Sequence, residues 1–356
     1  MWFITYLIIF LAGLIFSVFL TKIFCSLAVR INFIDKPSDR KFHKKPTPLM
    51  GGAGIFLGFW AVVFLCILII KFFPSFLPSN LSPYAFGIWM RMPWVIYIFI
   101  GSFIVSAVGL WDDKFVLKPK QKLLFQFIVA CLTVFAGIRI KLFLPDFLSY
   151  ILSVVWILAI TNAFNLLDNM DGASSGIALV CSFILFIVSL IMGSYFISAL
   201  LAVFMGVLAG FLFFNFPPAS IFMGDCGSLF IGYMMSIITI LGTYYKPSNP
   251  TFFPVVIPLL VFAVPLFDIF SVMWIRMHQG KSIFHADKNH FSHRLVNMGM
   301  NVKTAVCFLY VLTFCAGLPS LILPMLSLSG VLVVFFQTVV IMILIALLEY
   351  YGKKAQ

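Results

Sequence analysis

The chain has 356 residues, of which 63% are hydrophobic and only 10% charged, and its formal net charge is +12. That balance excludes an ordinary soluble domain, and it excludes a nucleic-acid reader, whose basic patch would sit on a polar surface. At about 20 residues per crossing the length has room for about ten or eleven helices and none for a soluble catalytic domain, so the expected fold is an all-α polytopic membrane protein forming a single domain over residues 1–356.

Apolar runs predict helices near 3–24, 52–72, 94–110, 123–138, 148–164, 176–192, 196–214, 227–243, 252–274, 304–320 and 330–349. The first run lacks both a basic segment before it and a small-residue cleavage pattern after it. It therefore reads as a membrane helix rather than a removed signal. Pro145, Pro217, Pro218, Pro247 and Pro250 fall in breaks, where a missing N–H suits a turn. The seven cysteines lie mostly within apolar runs and show no CxxC spacing, so they read as core filler, with Cys226 beside an Asp as the one exception to watch.

The breaks differ in charge. The odd-numbered ones hold Arg30, Lys36, Arg40, Lys41, Lys44 and Lys45, then Lys114, Lys118, Lys120 and Lys122, then Arg276, Lys281, Lys288, Arg294 and Lys303. The even-numbered ones hold only Lys71, Arg91, Arg139, Lys141 and Lys246. Excess Lys and Arg marks the cytoplasmic side, which predicts an outside N-terminus and a cytoplasmic C-terminus. Asp112, Asp113, Asp168, Asp171 and Asp225 were not used in that assignment, yet all five fall on the same side. An Asp at the bilayer centre costs about 3 kcal/mol, so acids gathered at helix ends suggest a polar task at the membrane surface.

Taken in chain order, the polar segments begin with D35-K-P-S-D-R40-K41-F-H43-K44-K45-P-T47-P-L-M-G51-G52, a basic turn entering a Gly-led helix. It suits anionic lipid heads or the phosphate of a lipid substrate. WDDK (111–114) follows an apolar helix; adjacent carboxylates repel unless a cation or proton intervenes, and hard oxygen ligands suit Mg²⁺. A solvated helix end is the plain alternative.

In N162-A-F-N165-L-L-D168-N-M-D171-G172, Asp168 and Asp171 share a face if the turn is helical, with Asn162 and Asn165 on similar spacing; capping accounts for one of these side chains, not four. F222-M-G224-D225-C-G227-S228 opens a helix on a thin glycine backbone whose N–H groups can reach a phosphate, and Asp225 can then hold a metal. The loop H285-A-D287-K288-N-H290-F-S-H293-R294 carries three of the five histidines. Without Cys or Glu nearby it makes a poor zinc site and a better diphosphate holder, through Arg294 above all. Carboxylates, basic anion holders and apolar walls together suit phosphoryl transfer between a soluble diphosphate and a lipid phosphate.

RKFHKKPTPLMGG (40–52), GLWDDK (109–114), NAFNLLDNMDG (162–172), FMGDCGS (222–228), PLFD (265–268) and HADKNHFSHRL (285–295) occur here in order. In them the chain resembles the polyprenyl-phosphate N-acetylhexosamine-1-phosphate transferase family, glycosyltransferase family 4, over about residues 30–300 and on its non-muramyl side. The resemblance implies transfer of a sugar-1-phosphate, GlcNAc-1-phosphate foremost, from a UDP-N-acetylhexosamine to undecaprenyl phosphate or a related carrier. UMP is released and cell-envelope glycan synthesis begins, at the cytoplasmic face of a bacterial inner membrane.

It further implies dependence on Mg²⁺, with Mn²⁺ as a substitute, and leaves room for a homodimer. Asp225 corresponds to the metal ligand; Asp112, Asp113 and Asp168 to catalytic acids, with Asp112 or Asp113 orienting the lipid phosphate. Asn165 and Asp171 correspond to nucleotide and metal surroundings, and Phe222 to a uracil contact. His290, His293 and Arg294 correspond to sugar and diphosphate recognition, and Lys44 to a basic residue near the site. Two departures stand out: Asn169 where many relatives have Gly, and Ser292 where many have His. Use of UDP-MurNAc-pentapeptide or another UDP-N-acetyl sugar is the related alternative; a transporter of organic anions or nucleotide sugars is the alternative of a different class.

Overall fold

In lipid every backbone N–H and C=O must find an internal partner, which leaves an apolar run only the helix. Over the described residues each of the eleven predicted runs is largely helical in the computed structural model, which describes residues 2–36, 46–73, 82–140, 145–242, 253–282 and 289–354. The long helices are α1 (Trp2–Arg30), α2 (Gly51–Phe72), α3 (Ser82–Phe115), α4 (Pro119–Phe135), α5 (Asp146–Leu167), α6 (Ala173–Ile191), α7 (Tyr195–Asn215) and α8 (Gly224–Leu241). After them come α9 (Phe253–Val261), α10 (Ala263–His278), the short α11 (Phe291–Asn297), α12 (Val302–Gly317) and α13 (Leu328–Lys354). Among the described residues nine segments are long and apolar enough to cross a membrane, so the chain is a multi-pass, all-α membrane protein.

Two expectations change in detail. The third helix begins at Ser82 rather than near 94 and runs through Pro93, so the WDDK acids sit on its last turns instead of in a loop. The run predicted at 252–274 is divided into α9 and α10 at Phe262. α4, at 17 residues, and this divided pair are the predicted runs that fall outside the nine.

α8 is the central helix: 83% of its membrane window is buried, against 17% for α1 and for α13. It packs on α2, α3 and α5. A Cβ at Gly52 would strike the Gly227 backbone, and one at Gly109 the Asp225 carbonyl, so these two positions bring α2 and α3 to backbone contact with the start of α8. Burying α8 in this way fixes its N-terminus against neighbours that carry polar ends. A two-stranded antiparallel ribbon, β1 (Ile34–Asp35) and β2 (Thr47–Pro48), pairs Ile34 with Pro48 and Asp35 with Thr47. It leads into α2, whose first amides, Gly51 and Gly52, donate to Phe222 and Met223 carbonyls at 2.9 Å.

Candidate active site

The first amides of a helix lack intrahelical partners, and at α8 they are met by a carboxylate from another helix. Gly224 turns the chain with φ +69°, and no side chain of the preceding residue caps α8. Asp113, from the last turns of α3, accepts from Asp225 N at 2.8 Å and Cys226 N at 3.2 Å. Asp113 thus holds the N-terminus of α8, and with it Asp225, while still lining the cavity described below.

Asp225 is held from its other side by Lys122 and Asn165. The Lys122 ammonium bonds the Asp225 carboxylate directly, lies 3.2 Å from Asp112 and donates to Asn165 Oδ1 at 3.0 Å. Asn165 Nδ2 in turn donates to Asp225 Oδ1 at 2.6 Å and Ser228 Oγ at 2.8 Å. Asp112 also accepts from Leu117 N at 2.6 Å, which closes the turn between α3 and α4. One lysine therefore joins the WDDK, NLLDNMDG and FMGD segments. Among the described residues no three acidic, imidazole or thiolate side chains are already gathered as a metal-ligand set.

Asp168 ends α5, and Gly172, at φ +72°, reverses the chain into α6. Asp171 spends one oxygen on Ala219 N at 2.9 Å, tying this loop to the segment after Pro217–Pro218. Asp113, Asp168, Asn169, Asp171, Asn215, Phe222, Asp225, His293 and Lys303 contribute to the wall of a cavity of about 880 Å³. Burial, then the charges of Asp225, Asp113 and Asp171, holds the Asp168 carboxyl well above the usual carboxylate range, against the pull of Lys122.

In metal-free protein the stability contributed by such a group is full below the ordinary value of 3.8 and is lost as pH rises through the elevated folded-state value. Asp168→Asn should therefore raise the thermal midpoint of chelator-treated protein at neutral pH and flatten its decline from acid to neutral pH. A lowered midpoint would count against this account.

The histidine segment is braced from outside the cavity. His290 Nδ1 lies 3.0 Å from Asp268 Oδ2, and Phe291 N donates to Asp268 Oδ1 at 2.6 Å; Asp268 is 0% exposed. His293, three residues on, reaches the cavity wall. Arg294 faces elsewhere: its Nε lies 3.1 Å from both Glu349 oxygens, Nη1 donates to Asn289 O at 2.6 Å and Nη2 to Ser271 Oγ at 2.9 Å. The guanidinium expected to hold diphosphate is thus spent on anchoring α11 to α10 and α13, and it, His290, Asp112 and Asn165 are not among the cavity-lining side chains, the last two acting behind the wall through Lys122 and Asp225. Lys44, His285 and Asp287 lie outside the described residues.

Because Arg294 and Glu349 are both mostly buried, removing one leaves the other's charge stranded. Glu349→Ala should cost about 3 kcal/mol of stability, and the Arg294→Ala/Glu349→Ala double variant should be no worse than either single one in thermal unfolding. Additive losses would refute the pairing.

Four residues of this framework carried no assigned role in the sequence. Lys122 was hidden among equivalent lysines, Asp268 within PLFD, Glu349 in the last apolar helix, and Asn215 at the end of another. Asn215 Oδ1 accepts from Gly172 N at 3.0 Å and Ser175 Oγ at 3.1 Å while its Nδ2 donates to Ile221 O at 3.0 Å. A polar side chain near the end of an otherwise apolar helix was the signal available for Glu349 and Asn215.

The family model for glycosyl transferase family 4 matches residues 95–243, which take in the α3, α5 and α8 ends just described. A protein of Bacillus subtilis (strain 168) named "Probable undecaprenyl-phosphate N-acetylglucosaminyl 1-phosphate transferase" is 34% identical over 346 residues, covering 95% of this chain and 90% of its own length. A decaprenyl-phosphate N-acetylglucosaminephosphotransferase of Mycobacterium leprae is 29% identical, over 85% of this chain and 79% of its own. An undecaprenyl-phosphate alpha-N-acetylglucosaminyl 1-phosphate transferase of Yersinia pestis is 25% identical, over 83% and 77%.

Proposed function

This chain belongs to glycosyl transferase family 4, and from that premise we propose that it transfers GlcNAc-1-phosphate from UDP-GlcNAc to undecaprenyl phosphate, releasing UMP. The observation that carries this reading is the meeting of three acid-bearing helix ends, far apart in the chain, around one cavity at the N-terminus of α8. The surrounding apolar helices offer a lipid-soluble acceptor a way to the same cavity. The charge asymmetry of the breaks supports a cavity that faces the cytoplasm, and the bacterial relatives support an inner-membrane location.

In the transfer an acceptor phosphate oxygen attacks the donor's β-phosphorus, a P–O bond forms, the bond to the bridging oxygen breaks and UMP leaves with that oxygen. A phosphate monoester has a second pKa near about 6, so near neutral pH a base is needed for only part of the acceptor. Asp113 keeps the α8 amides and Asp225 in register, and Asp112 with Lys122 balances charge behind them. Phe222, His293, Asn169 and Lys303 furnish the walls against which nucleotide and sugar are oriented.

The donor set fits Mg²⁺: all the acids are hard oxygen donors, and Asp168, raised by burial first and then by the charges of Asp225, Asp113 and Asp171, lies among carboxyls whose mutual repulsion a divalent ion would relieve. Asp225, with Asp168 beside it, would hold such an ion, which supplies charge neutralisation on the diphosphate; Mn²⁺ has the same donor preference.

The test is purified protein given undecaprenyl phosphate, Mg²⁺ and a panel of UDP-N-acetyl sugars, following UMP and lipid-linked product. UDP-GlcNAc should give the highest kcat/KM. Counter-transport of nucleotide sugar by reconstituted protein with no UMP formed would overturn the reading.

A further inference from the structure

Ser292 is 0% exposed, and its hydroxyl donates to Asn169 Oδ1 at 2.5 Å across 123 positions of sequence. Asn169 Nδ2 donates to Leu166 O at 2.6 Å, which fixes the amide so that its oxygen faces the serine. Each member of the pair is one residue from a cavity-lining side chain on a different element: Asn169 follows Asp168 on the α5–α6 loop, and Ser292 precedes His293 on α11.

We propose that the Asn169–Ser292 hydrogen bond is a positioning clasp that sets the spacing between the acidic wall and the His293 wall of the cavity, and thereby selects which nucleotide-linked N-acetyl sugar is accepted. This rests on the function proposed above. On its outer side α11 is braced by Asp268 and Glu349, which leaves the cavity-facing side to be aligned by contacts such as this one. A donor that reaches from the acidic loop to His293 must match that spacing. The lipid acceptor, whose reacting phosphate needs only one of the walls, need not.

Ser292→Thr and Ser292→Val are nearly isosteric and differ in the hydroxyl, so comparing them isolates the hydrogen bond from packing. Relative to Ser292→Thr, Ser292→Val should raise the KM for UDP-GlcNAc by about five- to tenfold, the worth of one neutral hydrogen bond. Discrimination against the 4-epimer UDP-GalNAc should fall, and the KM for undecaprenyl phosphate should stay within about twofold. Asn169→Ala should reproduce the effect, and Asn169→Ala/Ser292→Val should be no worse than the worse single variant.

Equal behaviour of the Thr and Val variants, additive losses, or parallel rises in donor and acceptor KM would overturn the clasp. If either Ser292 variant cannot be recovered folded, Ser292→Ala, which removes the hydroxyl without adding bulk, decides by the same split between donor and acceptor KM. Wild-type protein that releases no UMP from any donor would instead sink the proposed function, and UMP binding by thermal shift would then read the clasp by itself.

Discussion

Asp225→Asn should lower UMP formation by about a thousandfold or more while leaving the folded protein intact. Asn is isosteric, and its side-chain oxygen can still accept from Asn165 Nδ2, which bonds Asp225 at 2.6 Å in the native chain. The helix that carries it remains held by Asp113 and by burial along its length. What is lost is the negative charge facing the cavity, and with it the place for a divalent ion against the diphosphate. Mg²⁺-dependent turnover at the native level would show that the ion is held elsewhere. A collapse of thermal stability would show instead that the carboxylate is a structural partner of Lys122.

Lys122→Met should reduce kcat by about a hundredfold and move the Mg²⁺ requirement to lower concentration. The two effects have one cause. Lys122 bonds Asp225, lies 3.2 Å from Asp112 and donates to Asn165. Without the ammonium, two carboxylates face each other with less compensation, so a divalent ion is drawn in more strongly while the geometry of Asp225 is no longer fixed. Lys122→Arg should not restore the rate, because a planar fork cannot occupy the place of a compact three-donor ammonium. A variant with native kcat and an unchanged Mg²⁺ optimum would reduce Lys122 to a solvated helix-end charge.

The membrane character, the helical runs and the segments that meet at the cavity are written locally in the chain. Apolar length forces helices in lipid, and acids are too costly there to sit far from helix ends unless neighbours compensate them. Asp113, Asp168, Asp171 and Asp225 were therefore legible as cavity candidates from their motifs, His293 from its histidine-rich loop and Phe222 from the family resemblance. Their separate jobs were not. Asp112 and Asp113 are adjacent and look equivalent in sequence, but a helix turns about 100° per residue, so one faces Lys122 and the other caps α8. Arg294 looks like a phosphate holder because its fork is suited to phosphate, and the same fork suits a carboxylate; only the approach of α13 brings Glu349 to it.

By itself, then, the sequence determined what the chain is made of and which segments are polar enough to do chemistry. Tertiary structure decided which of several equivalent lysines, acids and amides meet. A hydrogen bond or ion pair depends on positions within a few tenths of an ångström, and those come from the packing of helices distant in the chain.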